Sequence, residues 1–332
     1  MLNRSYMDAI AAPEPVPLSQ ILFIKTSSLG DVIHNMPAVS EAQARVPNAR
    51  IAWVVEEAYV PLVRLHPAVT DVIPVAARRW RKDPFSPATW REIGARRRAI
   101  GVETYDAVID TQGLLRTGIL SRSAKGRRHG YDRRSIREPL AAMFYDVKHA
   151  VSRDLHAIER NRLLTGLALG YAPDGPPDYG LDRERLREGN RPYAVFLHGT
   201  ARPEKEWAPK NWIALGKILE GRGVDLVLPW GNEREHARAA HLAANITKGR
   251  VADAMPLDRM ARLIAGAQFV VGVDTGLVHL AAALGVPLLA IFAGSRPELT
   301  GPVGQGPIEV LGGKDMPASV KDVAAAIERI VR

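Results

Sequence analysis

Cysteine is absent from the 332-residue chain, which excludes a disulfide framework, a thiolate metal centre and a cysteine nucleophile. Nothing in the sequence calls for an oxidising compartment, and the cytoplasm is the expected location. No apolar run approaches the roughly 18 residues that cross a bilayer as a helix. Residues 1–19 lack the basic start and apolar stretch of a secretory signal, and Pro13, Pro15 and Pro17 break any helix there. A loose leader is expected instead. Aromatic residues make up only 6% and no nucleic-acid reader motif is visible, so nucleic acid is not an expected partner.

Missing motifs narrow the chemistry further. No G-x-G-x-x-G follows a strand, which counts against NAD or FAD bound in the usual mode, and no G-x-x-x-x-G-K-[ST] occurs. There is no G-x-S-x-G nucleophile elbow. No D-x-D pair occurs, and the nine histidines show no H-x-x-x-H or H-E-x-x-H spacing. A built-in metal site and a resident cofactor are therefore not expected.

What is present is apolar material enough for two cores. The hydrophobic share is 46%, and the length suggests two domains of roughly 150 residues. The net charge is +9, unevenly placed. Residues 1–172 hold 25 basic and 17 acidic side chains, and residues 173–332 hold 20 and 19. A strongly basic half implies an anionic partner: a phosphorylated or carboxylated substrate, an anionic membrane surface or nucleic acid.

Short apolar runs at 21–25, 51–55, 71–75 and 106–110 read as buried strands, with helical patterns at 38–45 and 90–100 among them. A proline-rich break covers 173–192. The rhythm then restarts with strands at 193–197, 224–228, 269–273 and 288–292. Helices are expected at 212–219, 234–244, 260–265, 277–284 and 320–331. Strand and helix taking turns predicts an α/β chain of two doubly wound parallel sheets. The expected division is a leader at 1–19, a first domain at 20–172, a linker at 173–192 and a second domain at 193–332. Ligands of open parallel sheets bind beyond the carboxyl ends of the strands, so the strand-to-helix turns are the places to read.

The turn at 25–34, KTSSLGDVIH, places Asp31 in the first turn of a helix, where it is either a reactive carboxylate or simply a complement to the helix dipole. Ser27 or Ser28 is available as N-cap. The turn at 196–207 offers Thr200, Arg202 and Lys205, suited to a diphosphate or merely a solvated charged loop. The turn at 273–279 offers Asp274, Thr275 and Gly276 at a helix start, where backbone N–H groups bind anions, although Asp274 also fits a plain cap. Glu235, after PWG, is either a ribose-binding carboxylate or part of an exposed helix. Basic residues cluster at 78–82, at 96–98 and from Arg116 to Arg137. The 96–98 run reads as a solvated helix face, whereas 78–82 and Arg116 follow strands.

Taken together, KTSSLGDVIHNMPA, WVVEEAY, IPVAARRWRK, YDAVIDTQGL, REPLAAMFY, LPWG and FVVGVDTGLVHLAAAL resemble the lipopolysaccharide heptosyltransferase I family of glycosyltransferase family 9. The resemblance runs from about residue 21 to the C-terminus. It implies a GT-B fold of two Rossmann-like domains facing a central cleft. It also implies an inverting, metal-independent transfer of L-glycero-D-manno-heptose from ADP-heptose to the Kdo–lipid A inner core, at the cytoplasmic face of the inner membrane. A related GT-B transferase with another acceptor or nucleotide sugar, such as a heptosyltransferase II, is the alternative.

By motif, the resemblance makes Asp31 the general base and Lys205 the diphosphate-binding lysine. Thr200, Thr275 and Gly276 become phosphate contacts, and Glu235 the ribose-binding carboxylate. Asp274 falls near the donor heptose, Met255 near the adenine, and His279 joins the donor side. Ala201 stands where a second hydroxyl is often found. Arg78, Arg79, Arg81, Lys82, Arg116 and Arg137 become acceptor-binding positions. Peripheral contact with an anionic membrane is expected, through Trp90 with residues 96–98 or through the region around Phe144 and Tyr145.

Overall fold

Each of the eight apolar runs becomes a strand, because a parallel sheet covered by helices on both faces needs continuous apolar segments. The computed structural model describes residues 18–189, 191–200, 202–292, 298–313, 316 and 318–331. Contacts divide the chain into two units, Met1–Gly180 and Leu181–Arg332.

The first unit contains β1 (Gln20–Ile24), α1 (Leu29–Ile33), α2 (Met36–Arg45), β2 (Arg50–Glu56), α3 (Val60–Val63), β3 (Val69–Val75), α4 (Ala77–Trp80) and α5 (Pro87–Ile100). It continues with β4 (Thr104–Asp110), α6 (Leu115–Ser121), β5 (Lys125–Tyr131), β6 (Val147–His149) and α7 (Ala157–Leu169). Its sheet has the order β3-β2-β1-β4-β5-β6, parallel throughout. Leu22, Ile24, Val54 and Val108 are buried in one of its core clusters. Ser86 caps α5 by accepting the Ala88 N–H, with Pro87 at the first helical position.

The second unit contains α8 (Arg183–Leu186), β7 (Ala194–Leu197), α9 (Pro209–Gly221), β8 (Leu226–Leu228), α10 (Glu233–Ala243), β9 (Gly249–Val251) and α11 (Leu257–Ala265). β10 (Phe269–Val273), α12 (Gly276–Ala283), β11 (Leu288–Phe292), β12 (Ile308–Gly312) and α13 (Val320–Ile330) complete it. Its order is β12-β11-β10-β7-β8-β9, again parallel. Counted from its own first strand, this is the same 3-2-1-4-5-6 winding as the first unit. Phe196, Trp207 and Trp212 pack together in its core.

Four strands lie outside the sequence reading: β5, β6, β9 and β12. β5, KGRRHGY, is charged and exposed over its first half and buried only at its end. β6 and β9 have three residues each, too few to show a pattern. The stretch read as a linker is folded onto both units. Asp174 accepts from Arg162 Nη2 (2.7 Å) and donates its N–H to Glu41 (2.8 Å) in the first. Arg183 donates to the carbonyls of Ala265 and Ala267 (3.0 and 2.9 Å) in the second. Of the expected leader, residues 1–17 lie outside the described residues.

Candidate active site

In each sheet the strand order reverses once, between β1 and β4 and between β7 and β10. The turns beyond the carboxyl ends of those strands carry Asp31, Arg116, Thr200, Lys205, Asp274 and Thr275, whereas Arg78 to Lys82, Arg137, Glu235 and Met255 follow β3, β5, β8 and β9.

In the first unit the turn after β1 is held by the turn after β4. Gln112 Oε1 accepts the N–H groups of Thr26 and Ser27, both at 3.0 Å. Gln112 is itself buried, and its own N–H bonds Asp110 Oδ1 (2.9 Å). Asp110 is fully buried; desolvation pushes its carboxyl up, opposed by hydrogen bonds from Tyr145 and neighbouring N–H groups.

Asp31 occupies the third position of α1. Its Oδ2 accepts from the N–H of Ser28 (2.7 Å) and from Ser28 Oγ (2.9 Å). Ser28 is the N-cap residue, with both of its donors turned onto Asp31 at the third helical position, and Oδ1 accepts nothing from the described residues. Arg116 Nη2 donates to Ser27 Oγ at 2.8 Å in the same turn. Beneath it Lys25 is buried, donating to Thr111 O (2.7 Å) and Asn161 Oδ1 (3.3 Å). Burial pulls its ammonium below the usual lysine range, while the Asp31 and Asp110 carboxylates act against that.

The basic residues have distinct surroundings. Arg78 bonds the Tyr59 hydroxyl and lies over that ring, 5.2 Å from its centre. Glu56 accepts the N–H groups of Ala77 and Arg78 (3.1 and 2.9 Å), fixing the start of α4. Arg79 is clasped by Glu57 and Glu92, so its charge is already matched. The hydrogen bonds from Arg79 and Trp80 hold the Glu92 carboxyl down at about 2. Arg81, Lys82 and Arg137 are exposed and make no salt bridge among the described residues. Arg137 is near enough to Lys25 for its charge to act there.

In the second unit three turns converge. Thr200 Oγ1 donates to Asp274 O (3.0 Å), and Lys205 Nζ donates to Asp274 Oδ2 (2.6 Å). Arg234 Nη2 donates to Thr200 O (2.9 Å) and pairs with Glu206 (3.2 Å), which Arg238 also binds. Thr275, not Asp274, is the N-cap residue of α12, and Gly276 begins the helix. His279 is buried in the same helix. Glu235 accepts the Gly231 N–H (2.8 Å). Its carboxylate lies so close to Gly199 that a Cβ there would stand 2.6 Å from Glu235 Cδ. Glycine at 199 thus lets the Thr200 turn approach Glu235.

Trp230 Nε1 donates to Ala252 O (2.8 Å), which ties the segment carrying Met255 to the turn carrying Glu235. Met255 also lines a cavity with Tyr193, Arg250 and Arg259. His198, fully buried at the end of β7, is held neutral to about 4 by desolvation and by Arg238. Ala201 lies outside the described residues. Gln112, Glu206 and Arg238 are contributions that the sequence reading missed. The YDAVIDTQGL and EKEW segments marked their neighbourhoods without giving them roles.

The chain matches glycosyltransferase family 9 (heptosyltransferase) over residues 93–324. It is 44% identical to lipopolysaccharide heptosyltransferase 1 of Salmonella typhimurium, covering 86% of this chain and 92% of that protein. The solved structure of E. coli heptosyltransferase WaaC with ADP is 40% identical, with a TM-score of 0.88 over 93% of this chain and 99% of that one. The same enzyme with ADP-2-deoxy-2-fluoro heptose gives 39% and 0.86 over the same shares. With the two like-wound sheets of the GT-B fold and relatives of this closeness, the chain belongs to glycosyltransferase family 9, the heptosyltransferases.

Proposed function

We propose that this protein transfers L-glycero-D-manno-heptose from ADP-heptose to the Kdo–lipid A inner core in lipopolysaccharide core biosynthesis. The donor assignment draws on the relative that holds ADP-2-deoxy-2-fluoro heptose and the acceptor on the lipopolysaccharide heptosyltransferase 1 relatives. Transfer takes place at the cytoplasmic face of the inner membrane, with the protein attached peripherally.

The observation that carries the mechanism is the state of Asp31. One oxygen is committed to Ser28, which fixes the carboxylate, and the other is open to a substrate. A sugar hydroxyl is a weak nucleophile at neutral pH. A carboxylate in hydrogen-bond reach removes its proton as the new bond forms, commonly giving ~10²–10⁴-fold. The acceptor oxygen bonds the anomeric carbon of heptose, the bond from that carbon to the diphosphate breaks, and ADP leaves with the electron pair. Attack on the face opposite the diphosphate inverts the centre.

Lys205 and the N–H groups at the start of α12 meet the charge that grows on the diphosphate, in place of a metal ion. Asp274 holds the Lys205 ammonium in position. Glu235 takes the ribose hydroxyls, Thr200 contacts phosphate, His279 belongs to the donor side, and Met255 packs near the adenine. Arg78, Arg81, Lys82, Arg116 and Arg137 receive the carboxylates and phosphates of the acceptor. Arg79, already paired, shapes that surface with Glu57 and Glu92.

Incubating the purified protein with ADP-heptose and acyl-free Kdo–lipid A core tests the assignment. Expected is one ADP released for each acceptor that gains a heptose by mass, at a rate unchanged by a chelator. Turnover with UDP-sugars and none with ADP-heptose would overturn it.

A further inference from the structure

Four large apolar side chains stand in solvent on two elements of the first unit that pack together. α6 lies against the 3-10 segment Pro139–Phe144. The Leu115 N–H donates to Glu138 Oε2 (2.6 Å), and the Glu138 N–H to Gly113 O (3.3 Å). A Cβ on Gly118 would meet the Phe144 ring at 2.9 Å. Leu115 and Ile119 on α6 are 37% and 46% exposed, and Leu140 and Met143 on the 3-10 segment are 64% and 70% exposed. Their spacings, four apart and three apart, put each pair on one side of its helix. Arg122, Arg133, Arg134 and Arg137 border the segment, exposed and without a salt bridge among the described residues. Asp132, Glu138 and Asp146 are the carboxylates among them, with Arg134 close to Asp132 and Arg122 close to Asp146, so the rim keeps a basic excess.

We infer that this face of α6 and residues 139–144 docks on an anionic phospholipid bilayer, which rests on the reading that the acceptor is carried by a lipid. Clustered exposed apolar side chains on a protein surface mark an interaction site. A basic rim around them matches the charge of anionic lipid headgroups, with the apolar centre entering the acyl boundary. The location favours a membrane over a protein partner. Arg116 lies on α6 between Leu115 and Ile119 and bonds Ser27 in the Asp31 turn. Seating α6 on a bilayer therefore brings that turn to the headgroup level, where a lipid-borne acceptor displays its sugars. Phe85 and Trp90 form the competing exposed pair. Trp90, however, folds back to donate to Pro84 O (2.9 Å).

Co-sedimentation of the full chain with phosphatidylglycerol–phosphatidylethanolamine vesicles tests this, comparing wild type, Ile119→Ser with Leu140→Ser and Met143→Ser, and Phe85→Ser with Trp90→Ser. The wild type and the aromatic variant should pellet alike, more weakly on phosphatidylcholine and at high salt. The triple variant should lose about ten-fold in partitioning. Its melting temperature and its turnover on the acyl-free acceptor should match wild type, while turnover on acceptor embedded in vesicles falls. Wild type left in the supernatant, a triple variant that pellets normally, or a loss confined to the aromatic variant would each overturn the inference. Vesicle binding is read without turnover, so failure of the heptosyltransfer reading shows separately, as absent product on the acyl-free acceptor.

Discussion

The ammonium of Lys205 lies 2.6 Å from Asp274 Oδ2, with both side chains about one-fifth exposed or less. The pair joins the turn after β7 to the turn after β10, at the reversal of the second sheet. Lys205→Ala removes the cation from the turn proposed to bind the diphosphate and leaves the half-buried Asp274 carboxylate facing it. The expected result is weaker ADP binding and a loss of kcat of about 10²–10³-fold. Titration calorimetry with ADP and steady-state rates check it. Lys205→Ala combined with Asp274→Asn should recover part of the ADP affinity, because the repulsive charge is gone.

Asp31 should separate catalysis from donor binding. Asp31→Asn keeps an oxygen able to accept from Ser28 but cannot take a proton, so kcat should fall by ~10²–10⁴-fold with ADP affinity within two-fold of wild type. Near-normal turnover in this variant would remove Asp31 as the base. Asp31→Ala also deletes the partner of Ser28 at the helix start. It should therefore cost about 1 kcal/mol of stability that Asp31→Asn does not, seen as a lower denaturation midpoint.

The legible part of the molecule is the part written locally. The interior runs of both sheets announce themselves because a buried parallel strand must be apolar along its length, and the two windings follow from the alternation with helices. β5 escapes because its first residues, Lys125 to Arg127, are charged or glycine and lie exposed. Its membership in the sheet depends on the pairing of its ladder with β4. The same distinction divides the site. An acidic residue in a strand-to-helix turn is visible as Asp31, whereas Gln112 is an amide with no chemistry of its own. Its role exists only once β1 and β4 are neighbours. The clasp of Arg79 by Glu57 and Glu92 is likewise invisible in a run of cations.

Gln112 is the residue to test for that non-local positioning. Gln112→Ala leaves the Thr26 and Ser27 N–H groups without their acceptor, at a cost of about 1–3 kcal/mol for unmet buried donors. The turn carrying Ser28 and Asp31 loses its anchor. Expected are a lower melting temperature and a kcat reduced about ten-fold or more, because small displacements of a catalytic group are costly. ADP affinity, which the proposed function assigns to the second unit, should stay unchanged. A variant with full turnover at a lowered melting temperature would assign Gln112 to stability alone.

His66 predicts how stability responds to acid. The ring is 1% exposed, and burial lowers its pKa from 6.5 to about 4. The Ala68 N–H donates to Nδ1 (3.2 Å), so that nitrogen carries no hydrogen, and Nε2 donates to Ser40 Oγ (3.0 Å). Gly180, at φ +65, closes over the ring so tightly that a Cβ there would stand 2.7 Å from Nε2. Protonating Nδ1 would set two donors against each other at a buried position. Below pH 6.5 the unfolded chain takes up this proton and the folded one does not until about pH 4, so folding stability falls as pH drops through that window. The loss from this residue is about 2 kcal/mol between pH 7 and pH 5. Urea denaturation at the two pH values measures it, with His66→Gln as comparison. The variant is less stable at pH 7, and its stability should decline less between pH 7 and pH 5 by that amount. An equal decline in both proteins would show that His66 is not the group taking up the proton.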